Sequence, residues 1–572
     1  MNRRQTILLY IVFAALCASC LFCTQAKIHD ALIQGKWFAF YFSSLFLGFL
    51  FGCPHRGYCY TIRVVDLIVC IIAIYLSIHN LMTDNLVEFW TNLLSILTLY
   101  YVIRLQGYNL SFNTIAWMML SCSAVLSLWG ISQIDSFEAL RCNTTFTGPF
   151  ESCAAYALSL ALCLPFILYL FRCEKRYRVL LVMAFALTVM MIVLSQSRTA
   201  WLTAFASVLF LYACTNALPK SITSAVKCLF PCVFAFLVFL LYYIRPESAN
   251  GRLLIWSNTL SLWMQHPLFG NGYSTFTRDY MLQQSDYFRT HPDSHFSMIA
   301  DCISHPFSEY LHLLVQWGIV GLLLFVLLAC ILIVVWRKIR NAEYDTIASC
   351  LIVIAVFSFF SYPFCYPFTW VVLVYCVAEL ARRSKEIFTP RFSSLFYFLP
   401  ICFGLGIGMN GVLYYRHQRW YDASRLYEKK PQTAILQYQD LYPRLQNDPY
   451  FLYNYAAIHY EEAHYNECLQ LLDECTKRLN DYDVQMLRGM ALRSLELYDE
   501  ALDCFQCASY MCPSKFMPLY QAFEIMVFCE RKDKAVELCK KIIEKPIKVD
   551  SEQVRFIKAK CNIYYNTFFI NN

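Results

Sequence analysis

Apolar runs long enough to cross a bilayer recur along this chain as far as about residue 415, with short connections between most of them. They lie near 6–24, 37–53, 64–80, 86–104, 114–130, 153–171, 179–195, 199–216, 224–244, 308–335, 346–361, 364–381 and 393–415. A spanning helix needs about 20 apolar residues. Lipid offers backbone N–H and C=O groups no partner except one another. The pattern therefore predicts an all-α, polytopic membrane bundle of about 12–13 transmembrane helices. Composition agrees: 15% of residues are charged, against about 25% in soluble domains. The run at 6–24 reads as a retained helix, because no cleavage site follows it. Pro363 and Pro367 blur the division between the runs at 346–361 and 364–381.

The net charge of +7 is carried by short clusters between the runs, so it indicates membrane topology and no nucleic-acid partner. With the N-terminus inside, the predicted cytoplasmic connections hold Arg56 and Arg63; Arg104; Arg172, Lys175, Arg176 and Arg178; Lys220 and Lys227; Arg337, Lys338 and Arg340; and Arg382, Arg383, Lys385 and Arg391. The short outer connections hold only Lys27, Lys36, Arg141 and Arg198. This is the bias of the positive-inside rule. It predicts three outer segments: the turn at 195–198, a long loop at about 245–307, and the tail.

The tail changes character. Residues 1–418 read as the membrane domain and 419–572 as a polar, helix-favouring domain repeating every 33–34 residues. Tyr465 recurs as Tyr498, and Pro513 as Pro546. Cys468-Leu469 recurs as Ala501-Leu502 and Ala535-Val536, with Ala434 one period upstream. Small residues followed by bulky ones at this period resemble tetratricopeptide repeats. A C-terminal α-solenoid of about three and a half units is expected, since one helical hairpin cannot bury its apolar face alone.

Three segments carry residues suited to chemistry. Ser195-Gln196-Ser197-Arg198-Thr199-Ala200-Trp201 joins two apolar helices almost without a loop, and an Arg at that boundary must be paired or face water. Gly251-Arg252 with Trp256 leads to His266-Pro267-Leu268-Phe269-Gly270-Asn271-Gly272. Apolar spacing over 253–264 predicts a helix in the membrane interface, and the two Gly a turn after it. His305-Pro306-Phe307-Ser308-Glu309-Tyr310-Leu311 runs into Gly318-Ile319-Val320-Gly321, placing His305 and Glu309 at a helix mouth.

In order and spacing, these segments resemble the O-antigen ligase and polymerase superfamily of WaaL/Wzy-like membrane glycosyltransferases. The resemblance covers residues 140–330 in detail. One departure is visible: Pro306 follows His305 where the family form has Asn. The resemblance implies transfer of a glycan from an undecaprenyl-diphosphate donor to an acceptor hydroxyl at the periplasmic face of the bacterial inner membrane, by direct inverting displacement. It implies that Arg198 and Arg252 clamp the diphosphate, since guanidinium binds phosphate oxygens bidentately. His305 then handles the acceptor proton and Glu309 orients it or serves as second base, with Ser195, Ser197, Trp256 and Tyr310 in support. These groups are expected to converge at one extracytoplasmic site. No cofactor and no metal are expected.

The acceptor stays open among lipid A core, a growing glycan as in repeat-unit polymerases, and a protein side chain. A protein partner is expected for the repeat tail. A flippase for the same lipid-linked glycan is the alternative from another class, disfavoured because the helix centres hold few ionisable residues. His291, Asp293 and His295 read as a solvated loop, Asp481 and Asp483 as a helix-capping turn, and the Cys504/Cys507 pair as helix-surface residues.

Overall fold

The computed structural model describes residues 3–24, 26–53, 61–83, 87–134, 146–214, 246–389 and 398–570. Among these the chain is almost wholly α-helical, with one short antiparallel ribbon pairing Ile62–Arg63 with Glu386–Phe388. The predicted apolar runs that fall on described residues are helices; the run at 224–244 and the start of that at 393–415 lie outside them. Among the described residues, seven helices are long and apolar enough to cross a membrane: Arg3–Phe22, Val64–Met82, Phe112–Ser132, Cys153–Cys173, Lys175–Leu194, Glu309–Lys338 and Ala342–Phe360. Arg198–Cys214 and Pro367–Ala381 are apolar but shorter. Gln34–Phe51 and Val87–Gln106 carry more polar side chains, among them Lys36, Glu88, Asn92 and Arg104. The protein is a multi-pass membrane protein.

Contacts divide the chain into two compact units. The membrane unit takes the described residues of Met1–Tyr243, Phe307–Tyr310 and Val320–Asp422; the repeat unit takes those of Ile244–Pro306, Leu311–Ile319 and Ala423–Asn572.

In the membrane unit, Cys153–Cys173 is the hub: 83% of its apolar window is buried, against 22% for Lys175–Leu194. The latter shows Val179, Val182 and Met183 at the surface, as a helix facing lipid must. Where apolar packing gives little preference over lipid, small residues and buried hydroxyl pairs hold helices together. Ser123 and Thr188 meet at 2.7 Å, and Ser207 and Ser349 at 2.8 Å.

The two ends of this unit differ in charge. At one end Arg104 grips Asp66 through two nitrogens at 2.8 and 2.9 Å. Arg63 pairs with Glu386 and donates to the Ser384 carbonyl; Arg382 pairs with Glu379, Arg340 with Asp345, and Arg172 donates to the Leu211 carbonyl. The other end is polar, and Arg198, Arg416 and Arg419 are its arginines among the described residues. There Lys36 Nζ donates to the Pro149 carbonyl at 2.8 Å, Tyr366 donates to Glu151 at 3.1 Å, and the Phe364 N–H donates to Glu309 at 3.2 Å. The 195–197 turn lies at this second end, because Cys153–Cys173 starts there and Arg178–Leu194 runs back to it.

The repeat unit contains three helical hairpins, Pro449–Glu461 with Tyr465–Cys475, Tyr482–Ser494 with Tyr498–Met511, and Met517–Phe528 with Lys532–Glu544. Pro431–Leu445 precedes them and Glu552–Ile570 follows. The recurring small residues Ala434, Cys468, Ala501 and Ala535 are all fully buried, which is why the period demands them. Each hairpin turns on one left-handed residue: Ala463, Glu496 and Glu530, at φ of 59°, 64° and 55°. Asp481 caps its helix, accepting from Val484 N–H at 3.0 Å, as expected. Cys507 is a half-buried helix residue as expected, whereas Cys504, expected at the helix surface, faces the packed side and is buried.

The Asp66 carboxylate also accepts from Tyr100 at 2.6 Å and from the Arg63 N–H at 2.9 Å. Both ionised side chains of its ion pair are about 5% exposed. Removing one partner of a buried pair strands the other, at a cost of about 3–5 kcal/mol. Asp66→Ala will therefore lower the thermal midpoint of the detergent-solubilised protein sharply. Asp66→Leu combined with Arg104→Met will recover part of that loss; equal destabilisation by both would refute the pairing as its cause.

Candidate functional site

The first candidate segment is a tight turn. Ser195 Oγ donates to the Ile192 carbonyl at 2.7 Å and accepts from the Ser197 N–H at 3.3 Å. Gln196 takes the left-handed conformation, φ 55°, so the next helix can start at Arg198. Trp201 Nε1 donates back to the Ile192 carbonyl at 2.9 Å, fastening the turn. Arg198 is half-buried at the first residue of that helix. Unpaired N–H groups at a helix start favour anions, so the guanidinium and the helix dipole act in the same sense.

Glu309 and Tyr310 open another helix of the membrane unit. Glu309 is buried and holds the Phe364 N–H. Tyr310 donates to the Ala355 carbonyl at 2.9 Å and packs on Phe359, which makes it a helix-packing residue. Polar residues that the sequence reading did not single out lie at this same end: Glu151, Ser152 and Tyr366 form a linked set, with Ser152 and Tyr366 hydroxyls 3.1 Å apart. Their signal in the sequence was a lone acidic residue ahead of an apolar helix, which periodicity cannot tell from a helix cap.

Arg252, Trp256 and His305 belong to the repeat unit. Arg252 and Trp256 sit one turn apart on Pro246–Trp263, a helix longer than the expected 253–264. Trp256 Nε1 donates to the Pro306 carbonyl at 3.1 Å, so this helix holds the residue next to His305. The His305 ring meets His312 edge-on, centroids 6.0 Å apart. Gln316 lies 2.9 Å from His312 Nε2, a contact in which the Gln amide donates and the ring nitrogen accepts. Burial, and then the neighbouring His312, holds the His305 pKa down to about 3. His305 is therefore neutral throughout the physiological range.

The structural key to this group is a broken helix. Glu309–Lys338 is interrupted at Gly318, φ 63° and ψ −169°. An uninterrupted helix would bond Ile319 N–H to Val315 C=O. Here Ile319 N–H goes to the Pro267 carbonyl at 3.0 Å, and Val315 and Gln316 carbonyls accept from Asn271 at 2.7 Å and Gly272 at 3.1 Å. The expected Gly turn is present, with Gly270 at φ 78° and Gly272 at φ 116°. A Cβ at Gly318 would lie 2.2 Å from the Leu268 carbonyl oxygen, and one at Gly270 would lie 2.6 Å from the Val315 carbonyl oxygen. The H-P-L-F-G-N-G and G-I-V-G segments are thus two halves of one backbone lock.

Residues 183–326 match the O-antigen ligase family. The matched span contains Arg198, Arg252, His305, Glu309 and both halves of the lock. The match points to a membrane glycosyltransferase of the O-antigen ligase or polymerase type. No curated protein matches the chain. Among solved structures, yeast Tom70 aligns at 10% identity over 88% of this chain and 96% of its own, with a TM-score of 0.22, too low to carry an inference. In the matched segment, Ser195, Ser197 and Arg198 share one turn, and Trp256, one helical turn from Arg252, holds the Pro306 carbonyl beside His305. His291 and His295 are exposed loop residues, the first stacked on Tyr287 and the second tilted against Phe296.

Two outcomes follow. Gly318→Val must either break the lock or strain it, at a cost of about 1–3 kcal/mol for the backbone conformation alone. It will lower thermal stability and increase amide exchange at Asn271 and Gly272; unchanged exchange there would refute the lock. The second concerns pH. Because the His305 pKa lies below its unfolded value of 6.5, the unfolded chain binds more protons between the two values, and stability falls as pH drops through that window. His305→Gln will flatten the dependence of the midpoint between about pH 6.5 and 4; an unchanged slope would show the imidazole is not buried neutral.

Proposed function

We propose that the protein transfers a glycan from an undecaprenyl-diphosphate-linked donor to an acceptor hydroxyl at the periplasmic face of the bacterial inner membrane, with inversion and without a metal. One observation carries the reading: the span matching the O-antigen ligase family is the span that holds Arg198, Arg252 and His305. The charge difference between the ends of the membrane unit supports the orientation, with the arginine-rich end cytoplasmic.

Arg198 and Arg252 bind the donor diphosphate and stabilise the charge that grows on it as the glycosidic bond breaks. Such stabilisation, realised most fully in the transition state, raises the rate rather than only the affinity. Ser195 and Ser197 hold the turn that presents Arg198, and Trp256 holds the segment that presents His305. His305 accepts the proton of the attacking hydroxyl. A base with a pKa near 3 is weak in the resting protein. A bound diphosphate beside the ring raises its proton affinity, so base strength develops when the donor is present. Glu309 supports the proton transfer. The repeat unit recruits an acceptor or assembly partner, since helical solenoids offer extended binding surfaces.

The test is transfer from lipid-linked donor in proteoliposomes. Arg198→Ala and Arg252→Ala are each expected to lower kcat by about 10²-fold or more, the scale of losing one charge-stabilising donor. Arg→Lys at either position will restore little, because a point charge cannot bond bidentately. His305→Ala will lower turnover with donor binding retained. Wild-type turnover in all three variants would refute the catalytic assignment. A glycan profile of a deletion strain then selects the acceptor: truncated lipopolysaccharide, shortened chains, or unglycosylated protein.

A further inference from the structure

Within the repeat unit, the segment just before His305 lies against the hairpin Tyr482–Ser494 and Tyr498–Met511. Gln284 Nε2 donates to the Met511 carbonyl at 2.6 Å and to the Asp301 carbonyl at 3.2 Å, spanning the two segments. Ser285 Oγ reaches the Cys507 carbonyl at 3.4 Å. Leu254, Phe288 and Ala300 form a small apolar cluster against Tyr510. At the end of this contact the Cys302 and Cys512 sulfurs lie 3.5 Å apart, although 210 residues separate them in sequence.

We propose that Cys302 and Cys512 form a native disulfide that clamps the His305-bearing segment to the repeats. The inference rests on the reading above that this unit faces the oxidising, extracytoplasmic side, where disulfides persist. The two thiols suit the two steps of exchange. Cys302 is exposed and Cys512 fully buried at the end of its helix, so an incoming oxidant meets Cys302 first. Cys302 is also the more acidic: its hydrogen bond with Cys512, and then Lys515, hold its pKa below the ordinary thiol value, while the same bond and burial push Cys512 up. The thiolate is the attacking species.

The oxidant is a protein disulfide of the extracytoplasmic compartment. The Cys302 thiolate attacks one sulfur of that disulfide, forming a mixed disulfide and expelling the oxidant's other sulfur as thiolate. The Cys512 thiol loses its proton and attacks Cys302 Sγ. The Cys302–Cys512 bond forms, and the oxidant's first sulfur leaves. Two electrons end on the oxidant, now a dithiol, and the two thiol protons pass to it or to water. Closing the sulfurs to about 2.05 Å needs a shift of roughly 1.5 Å. Cys302 is three residues from His305, so the bond would fix the stretch that carries the imidazole.

The experiment uses the full-length protein in membranes of the native cell. Thiols are trapped by alkylation in acid-quenched denaturant, and non-reduced peptides are read by mass spectrometry. A Cys302–Cys512 cross-linked peptide in most molecules is expected. Cys302→Ser, at an exposed position, should fold; it should remove that peptide, lower the thermal midpoint and speed proteolysis between 291 and 306 several-fold. Reductant should do the same to the wild type and nothing further to the variant. Orientation is read separately, by labelling Lys534→Cys in intact spheroplasts with a membrane-impermeant maleimide. If the tail labels from outside while Cys302 and Cys512 alkylate freely, the disulfide is refuted and the orientation stands. If the tail is closed to the reagent, the orientation fails and the native disulfide with it. Asp301, Cys302 and Cys512 also place three ligand atoms within 4.8 Å of one another. One zinc per chain on both protected thiols would overturn the disulfide in favour of a metal clip.

Discussion

A bilayer supplies no hydrogen bonds, so a chain immersed in it keeps its helices whole or repairs every break from within. The break at Gly318 shows how the repair is made. The helix opens there, and the carbonyls it releases at Val315 and Gln316 are taken by Asn271 and Gly272, while Ile319 turns to Pro267. Three residues of one segment and three of another exchange backbone bonds as two strands would, without forming a sheet. The position of the helix carrying Trp256, and through Trp256 of Pro306 and His305, follows from that lock.

The membrane unit solves the same constraint differently. Apart from the helix broken at Gly318, its described helices are continuous, and its charged side chains are collected at the two ends. One end is an arginine-rich network anchored on Asp66, Glu379 and Asp345. At the other, Lys36 donates to the Leu32 and Pro149 carbonyls, the Tyr366 hydroxyl meets Glu151 and Ser152, and Glu309 accepts from the Phe364 N–H. The chemistry assigned to Arg198 sits at this second end.

Much of this was legible in the sequence. Helix positions followed from apolar run length, because lipid leaves one secondary structure available to such runs. The solenoid followed from the 33–34-residue period, since Ala434, Cys468, Ala501 and Ala535 are small where helices touch. The Gly turn after Trp263 was also readable, as Gly270 and Gly272 adopt positive φ. Other features were not. Glu151 and Tyr366 are 215 residues apart, and nothing local marks either as a partner of the other. The association of 276–306 with the repeats was equally invisible, because it depends on Gln284 and Ser285 meeting carbonyls of a helix end over 220 residues away.

By itself the sequence determined the class of solvent around each segment, the helical period of each run and the chemical character of the candidate groups. These depend on composition and spacing over one or a few turns. Tertiary structure alone decided which of those groups share an environment: that His305 lies beside His312 and is held neutral, that Glu309 is tied to the Phe364 backbone, and that Cys302 meets Cys512. Burial and proximity are properties of the packed chain, and residues far apart in sequence leave no local pattern from which their meeting could be read.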